Sequence, residues 1–334
     1  MLPHLDPLAI ARRSFLHQST YGLGGIALAM LGREASAAAP AGLTKPDDWR
    51  GVLSQPHFPV KAKRVIFLCM AGGPSQFESF DWKPALKALD GKPFPESFTK
   101  GQQLAQLQNA ELKGRGSFVG FTKHGKSGTE VSDLFPHLGS QADRLCVIRS
   151  MQTEQINHDT AHAFMNTGSI IKGRPSMGSW LLYGLGSATD DLPGFIVLTS
   201  AGRHGQQPIS ARQWSSGVLP SRFQGIMFQS KGDAVHYIGS PPGVCQSTQR
   251  QVVEEVRRLN GMLAERQNDP EITTRIAQYE MAFRMQASVP DLTDFSGETQ
   301  ETLDLYGVKE PGDGSFASNC LLARRLAERG VRMI

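Results

Sequence analysis

The 334-residue chain is poor in the features that would commit it early to a partner or a compartment. It has no run of five or more Lys or Arg, and its formal net charge is only +4, so nothing in it points to nucleic acid. It has no apolar run near the ~20 residues that a membrane-crossing helix needs. The closest, residues 21–31, is short and interrupted by Gly22, Gly24 and Gly25. The G-x-x-x-x-G-K-[ST] spacing of a phosphate-binding loop is absent, and so are internal repeats. Four cysteines, Cys69, Cys146, Cys245 and Cys320, lie far apart with no C-x-x-C pair. Cys69 and Cys146 fall in strand-like apolar runs and Cys320 on a helix-like segment, which reads as small buried hydrophobes. What remains, 40% hydrophobic and 20% charged residues, is an ordinary globular composition, long enough for one large domain or two small ones.

The first forty residues carry the clearest signal. Arg12-Arg13-Ser14-Phe15-Leu16 is followed by the short apolar stretch and then by Ala35-Ser36-Ala37-Ala38-Ala39. A charged, then a mildly hydrophobic, then a small-residue region reads as an export signal, with a cut after Ala37 or Ala39. The arginine pair beside Phe-Leu points to the twin-arginine route, a transient engagement with that export machinery, and a periplasmic or extracellular destination. There a disulfide is permitted, though spacing alone assigns none. Residues 40–60 read as a polar, Pro-rich, poorly ordered linker, and residues 61–334 as the folded part.

Unalternated apolar runs suggest strands buried on both faces, as in a parallel sheet covered by helices. They occur at 64–70, 145–148 and 194–199. Helical spacing falls between and after them: 130–143 (Val131, Leu134, Phe135, Leu138), 159–167, 177–185, 248–267, 270–287 and 316–329, the last with Leu321, Leu322 and Leu326 on one face. This alternation predicts an α/β fold with a mostly parallel sheet. Residues 200–247, rich in Gly, Pro, Ser and Gln, read as an irregular insertion beside the sheet. The two helices that follow are charged on one side, which predicts a surface location. Residues 331–334 read as the opening of another buried strand, so the domain is expected to be incomplete at its C-terminus.

Three segments are candidates for chemistry. Gly72-Gly73-Pro74-Ser75-Gln76-Phe77-Glu78-Ser79-Phe80-Asp81 follows the first strand, where parallel sheets place their sites. Its glycines let backbone approach a ligand, Glu78 and Asp81 are hard oxygen donors, and Ser75 suits a ligand or nucleophile; the alternative is a tight turn with solvated carboxylates. In the second segment Asn157 reads as a helix N-cap, with His158 at the helix start where anions are favoured and His162 one turn on. The competing reading is capping with one packed histidine, His162, since His-x-x-x-His without H-E-x-x-H is a weak zinc signal. In the third, Arg174 is a fork-shaped donor suited to phosphate or sulfate, and Ser176 can cap the next helix. Arg149, Arg203 and His204 are further cationic candidates.

Read together, these stretches resemble one family of exported bacterial proteins of unknown function, DUF1501. The landmarks are the twin-arginine leader, Gly72-Gly73-Pro74-Ser75 with Phe80-Asp81-x-Lys83-Pro84, Leu134-Phe135-Pro136-His137-Leu138, Ile148-Arg149-Ser150-Met151 and Asn157-His158-Asp159. Phe164-Met165-Asn166-Thr167-Gly168, Gly173-Arg174-Pro175-Ser176-Met177-Gly178, Ile209-Ser210-Ala211-Arg212, Leu219-Pro220-Ser221-Arg222, residues 279–286 and residues 321–326 continue the match.

The family looks like a member of the alkaline phosphatase and sulfatase superfamily. The resemblance thus implies an α/β/α sandwich, a divalent metal (zinc, calcium or similar) at the strand ends, and hydrolysis of phosphate or sulfate esters of a small molecule or polysaccharide. On that reading Ser75 and His158 are catalytic, Arg149 and Arg174 grip the anion, and Glu78, Asp81 and His158 hold metal. The chain departs from the pattern in having Glu78 for the usual Asp and Trp82 for the usual Pro. It has no Cys-x-Pro-Ser-Arg for formylglycine chemistry, and it lacks the family's W-D-x-H, E-F-G-R and G-R-D-H segments, so half a metal site is expected. The alternative function is a non-catalytic exported binding or scaffold protein that keeps the fold without the chemistry.

Overall fold

A computed structural model describes residues 49–101, 111–200, 208–236, 239, 245, 250–256, 258–260 and 270–334. The leader, Arg203 and His204 lie outside the described residues. Trp49–Ile334 form one unit of a mixed α/β kind.

Its centre is a set of parallel pairings. Strand β3 (Ile196–Leu198) pairs in parallel with β4 (Ile226–Phe228), and Met333 makes parallel bridges to both Phe195 and Val65. Backbone bonds continue the contact: Val65 N–H donates to Arg332 O at 2.8 Å, Phe67 N–H to Ile334 O at 2.8 Å, and Ile196 N–H to Met333 O at 2.9 Å. Segments 64–68, 331–334, 194–198 and 226–228 therefore lie side by side. (The labels β1 and β2 belong to an antiparallel hairpin, Phe121–His124 with Thr129–Ser132.)

The core lies against these strands. Helix α5 (Phe316–Glu328) begins at Ser315, whose Oγ accepts from Ser318 N–H at 3.1 Å, an N-cap. It buries Leu322, Ala323 and Leu326 against Ile196, Phe228, Val331 and Leu292, and its Leu321 is fully buried as well. Burying each such side chain stabilises by about 1.5–3 kcal/mol. Helix α3 (Pro270–Thr293) supplies Met285, Val289 and Leu292 to the same cluster, so it is not the peripheral helix its charges suggested. Helix α1 (His158–Thr167) and helix α2 (Met177–Leu185) fall where helical spacing placed them, and α4 (Gln300–Tyr306) precedes α5. On α2, Gly178 sits where an added Cβ would lie 2.5 Å from the Phe195 ring, so its lack of a side chain lets the helix close on β3.

Several sequence expectations are corrected. Residues 130–143 are not one helix: Val131 is in β2, and helix resumes only at Pro136–Ser140. Spacing of i, i+3, i+4 was satisfied there by chance, while the Gly125 and Gly128 turn set up a hairpin. Residues 145–148 form no strand, and Ile148 is 62% exposed. Among the described residues the 64–70 run is bound on one edge, with Leu68 56% and Met70 54% exposed, so it is not buried on both faces. Cys69 and Cys146 are accordingly exposed.

Two further expectations also change. Residues 208–228 are more than an insertion, because they add β4 and the buried Trp214, Phe223 and Phe228 to the two core clusters. The first described residues of the 40–60 stretch contact the body. Trp49 stacks on Tyr183 at 5.9 Å and lies under Arg222 at 4.5 Å, while Val52 and Leu53 N–H bond to Tyr183 and Gly184 carbonyls. Among the described residues, no helix is long and apolar enough to cross a membrane.

Candidate functional site

The glycine turn after segment 64–70 takes its shape from two residues in the left-handed region, Gly72 at φ 87° and Gly73 at φ 64°, which L side chains rarely adopt. Gly73 N–H closes the turn on Met70 O at 3.0 Å. A single 3-10 turn, Gln76–Glu78, follows, and Ser79 and Asp81 N–H return to Gln76 O. The turn is braced from behind: Ser132 N–H donates to Ser79 O, Phe80 stacks on Phe135 at 5.8 Å, and Arg149 Nε donates to Phe80 O at 2.7 Å.

Helix α1 meets this turn. Asn157 Oδ1 accepts from Asp159 N–H at 3.1 Å, the predicted cap, and Gly168 ends the helix in the left-handed region. His158 is exposed at the first turn, its ring 6.2 Å from that of His162. His162 is only 7% exposed, and its Nε2 accepts a hydrogen bond from Gly72 N–H at 3.2 Å. Its Nδ1 is buried with no partner among the described residues. Asn166 Nδ2 donates to His162 O at 2.8 Å. Arg212 ties the 3-10 turn Ala211–Trp214 to the same helix through an ion pair with Asp159 and a bond to its carbonyl.

Between these pieces lies a cavity of about 390 Å³. Segment 66–71 forms one wall, β3 its floor, and α5 the opposite wall through Phe316, Asn319, Cys320 and Ala323. The start of α2 and Trp214 close further sides. Phe195, Val197, Trp214 and Met333 make the surface largely apolar, with His162, Asn166, Gln213, Ser200 and Asn319 as its polar points. Asn319 is held by bonds from Nδ2 to Ser200 Oγ at 2.8 Å and Ser230 Oγ at 3.3 Å. Burial pushes the Cys320 thiol up from its ordinary value, which leaves it an apolar lining group rather than a thiolate.

The sequence-named residues fare differently. Ser75 is exposed at the turn, and no hydrogen bond joins it to His158 among the described contacts. Asp81 is taken up by Lys83 at 2.8 Å, and Glu78 is half-buried on the 3-10 turn. Among the described residues, no three His, Cys, Asp or Glu side chains gather closely enough to hold a metal ion. Glu78, Asp81 and His158 therefore do not fit the expected divalent ion as a set. Arg149 reaches the glycine turn, but through a backbone carbonyl; Arg174 is exposed, one turn before the Ser176 cap.

Sequence reading missed Arg212, Trp214 and Asn319 as site elements, and saw His162 only as a packed histidine. The motif Ile209-Ser210-Ala211-Arg212 was visible, but its contact with Asp159 spans 53 residues and leaves no local trace.

No curated protein and no solved structure matches the chain. The family described as a protein of unknown function, DUF1501, matches residues 62–334, a span that takes in the turn, the histidine helix and every cavity wall, and the chain belongs to that family.

Proposed function

We propose that this is an exported binding protein that holds a small, largely apolar ligand in the cavity between segment 66–71, β3, α1 and α5. The cavity itself carries the reading. At about 390 Å³, with apolar walls and a few convergent polar groups, it has the size and lining of small-molecule sites. The export assignment rests on the Arg12-Arg13 leader. The test is a fluorescence titration with a neutral naphthalene dye, 6-propionyl-2-dimethylaminonaphthalene. The expected result is saturable one-to-one binding that is lost when Cys320→Trp fills the cavity. Absent binding, or binding unchanged in that variant, would overturn the reading.

A second reading, hydrolysis of phosphate or sulfate esters at the rim, is favoured by one observation: the bond from Gly72 N–H to His162 Nε2 joins the glycine turn to the histidine helix. In it Ser75 is the nucleophile, His158 the acid or base, and Arg149 with Arg174 the anion grip. Because the donor set does not suit a metal ion, no step is drawn through one. Turnover of an aryl phosphate or sulfate, abolished by Ser75→Ala, would establish it; equal background rates in both proteins would remove it.

A further inference from the structure

We propose that His162 is the polar anchor of this cavity, and that the ligand it selects is a neutral molecule with an apolar body and one hydrogen-bond-accepting carbonyl oxygen. The inference deepens the binding reading above and rests on it.

The position of the ring proton sets the chemistry. A backbone N–H can only donate, so the Gly72 N–H bond at 3.2 Å makes His162 Nε2 the acceptor, with its lone pair outward to Gly72. In a neutral imidazole one nitrogen accepts and the other carries the hydrogen, which puts the proton on Nδ1. That Nδ1–H is buried and has no partner among the described residues. Buried donors are seldom left unpaired, and one that is calls for an explanation in a bound group. His162 is one of the residues that line the cavity.

The ligand's chemistry follows from the rest of the wall. The need of Nδ1–H is an acceptor. Among the described residues that line the cavity there is no Lys or Arg side chain to neutralise an anion and no Asp or Glu side chain to pair a cation. A charged ligand would then lose hydration without compensation, whereas a ketone, ester or amide carbonyl supplies the acceptor without a net charge. Phe195, Val197, Trp214 and Met333 cover an apolar or aromatic body. The alignment is stiff: Asn157 caps the helix, and Asn166, Arg212 and Gly72 all bond to groups of α1, so the donor is preorganised.

The experiment compares 2-acetylnaphthalene with 2-isopropylnaphthalene, which have nearly the same shape and differ in the carbonyl, by fluorescence titration of the whole chain. The inference predicts that the ketone binds the wild-type protein at least about tenfold more tightly, an effect of the size expected for one buried hydrogen bond. His162→Phe is expected to bind both probes alike, at the affinity of the hydrocarbon. His162→Gln, whose side-chain carbonyl can still accept from Gly72 N–H while its amide donates, is expected to keep part of the preference. Equal binding of the two probes by the wild-type protein would overturn this inference while leaving the binding reading intact. Binding of neither would overturn both. The wild-type comparison stands even if His162→Phe fails to fold.

Discussion

The body of the protein and its rim use the same kinds of residue to opposite ends. In the body, Ile196, Val331, Phe228 and Leu326 are completely or almost completely buried, and parallel backbone bonds join the segments that carry the first three. At the rim, Leu68, Met70, Ile148 and Met151 stand in solvent, attached to segments that pair on one edge or not at all. Hydrophobicity is similar in the two places; what differs is a neighbour on the other face. Apolar content therefore gave stability to the first region. In the second it supplied one wall of a cavity, with the polar contacts of the glycine turn and α1 holding that wall in place. Small-molecule sites commonly combine a stiff scaffold with an incompletely filled edge.

This contrast can be broken by substitution, starting where the effect is largest. Leu326→Ala removes a fully buried side chain from the body, and a loss of about 2–5 kcal/mol is expected in urea unfolding of the purified protein.

A smaller effect is expected from the ion cluster behind α5. The Glu298 carboxyl is held below the usual carboxylate range, first by its hydrogen bond from Arg325 and then by Arg324. Because its folded-state value is depressed, its stabilisation is complete above the unfolded value of about 4.3 and is lost as pH falls through the lower folded value. The thermal midpoint of the wild-type protein should then fall below about pH 4, and Glu298→Gln should lower the midpoint at neutral pH and flatten that acid limb. A limb equally steep in the variant would show that other carboxylates govern it.

The smallest effect belongs to the rim. Ile148→Ser should leave stability within about 0.5 kcal/mol, as surface changes do. A loss of core size there would mean that the rim is packed in solution and that the contrast is wrong.

The sequence was most legible where structure is local. Asn157 and Ser176 announced two helix starts, because a cap bonds only two or three residues ahead, and α1, α2 and α5 lie where spacing put them. The strand at 196–198 was also visible. Its look-alike at 145–148 was not separable from it, since a run of apolar residues says that burial is favourable but not whether a partner strand is near. Val131 fitted a helical spacing and entered a hairpin, because the register was set by turn glycines outside the window. The site shows the same limit. Ser75, Glu78, Asp81, His158, Arg149 and Arg174 were picked by chemical type, and type cannot report distance. The bond between Gly72 and His162 spans 90 residues, and the cavity takes its walls from seven stretches of chain. His162 thus changed from a packing residue into the central polar group only when its two nitrogens could be told apart by their neighbours.

That distinction is also the most direct test of the account. Nitrogen-15 NMR of histidine-labelled protein reads which ring nitrogen of His162 carries the proton, with His162→Gln serving to assign the signal. The account predicts a proton on Nδ1, an unprotonated Nε2 coupled to the Gly72 amide, and a shift of the Nδ1 signal when 2-acetylnaphthalene is added. A proton on Nε2, or an Nδ1 signal indifferent to the ketone at saturation, would contradict it.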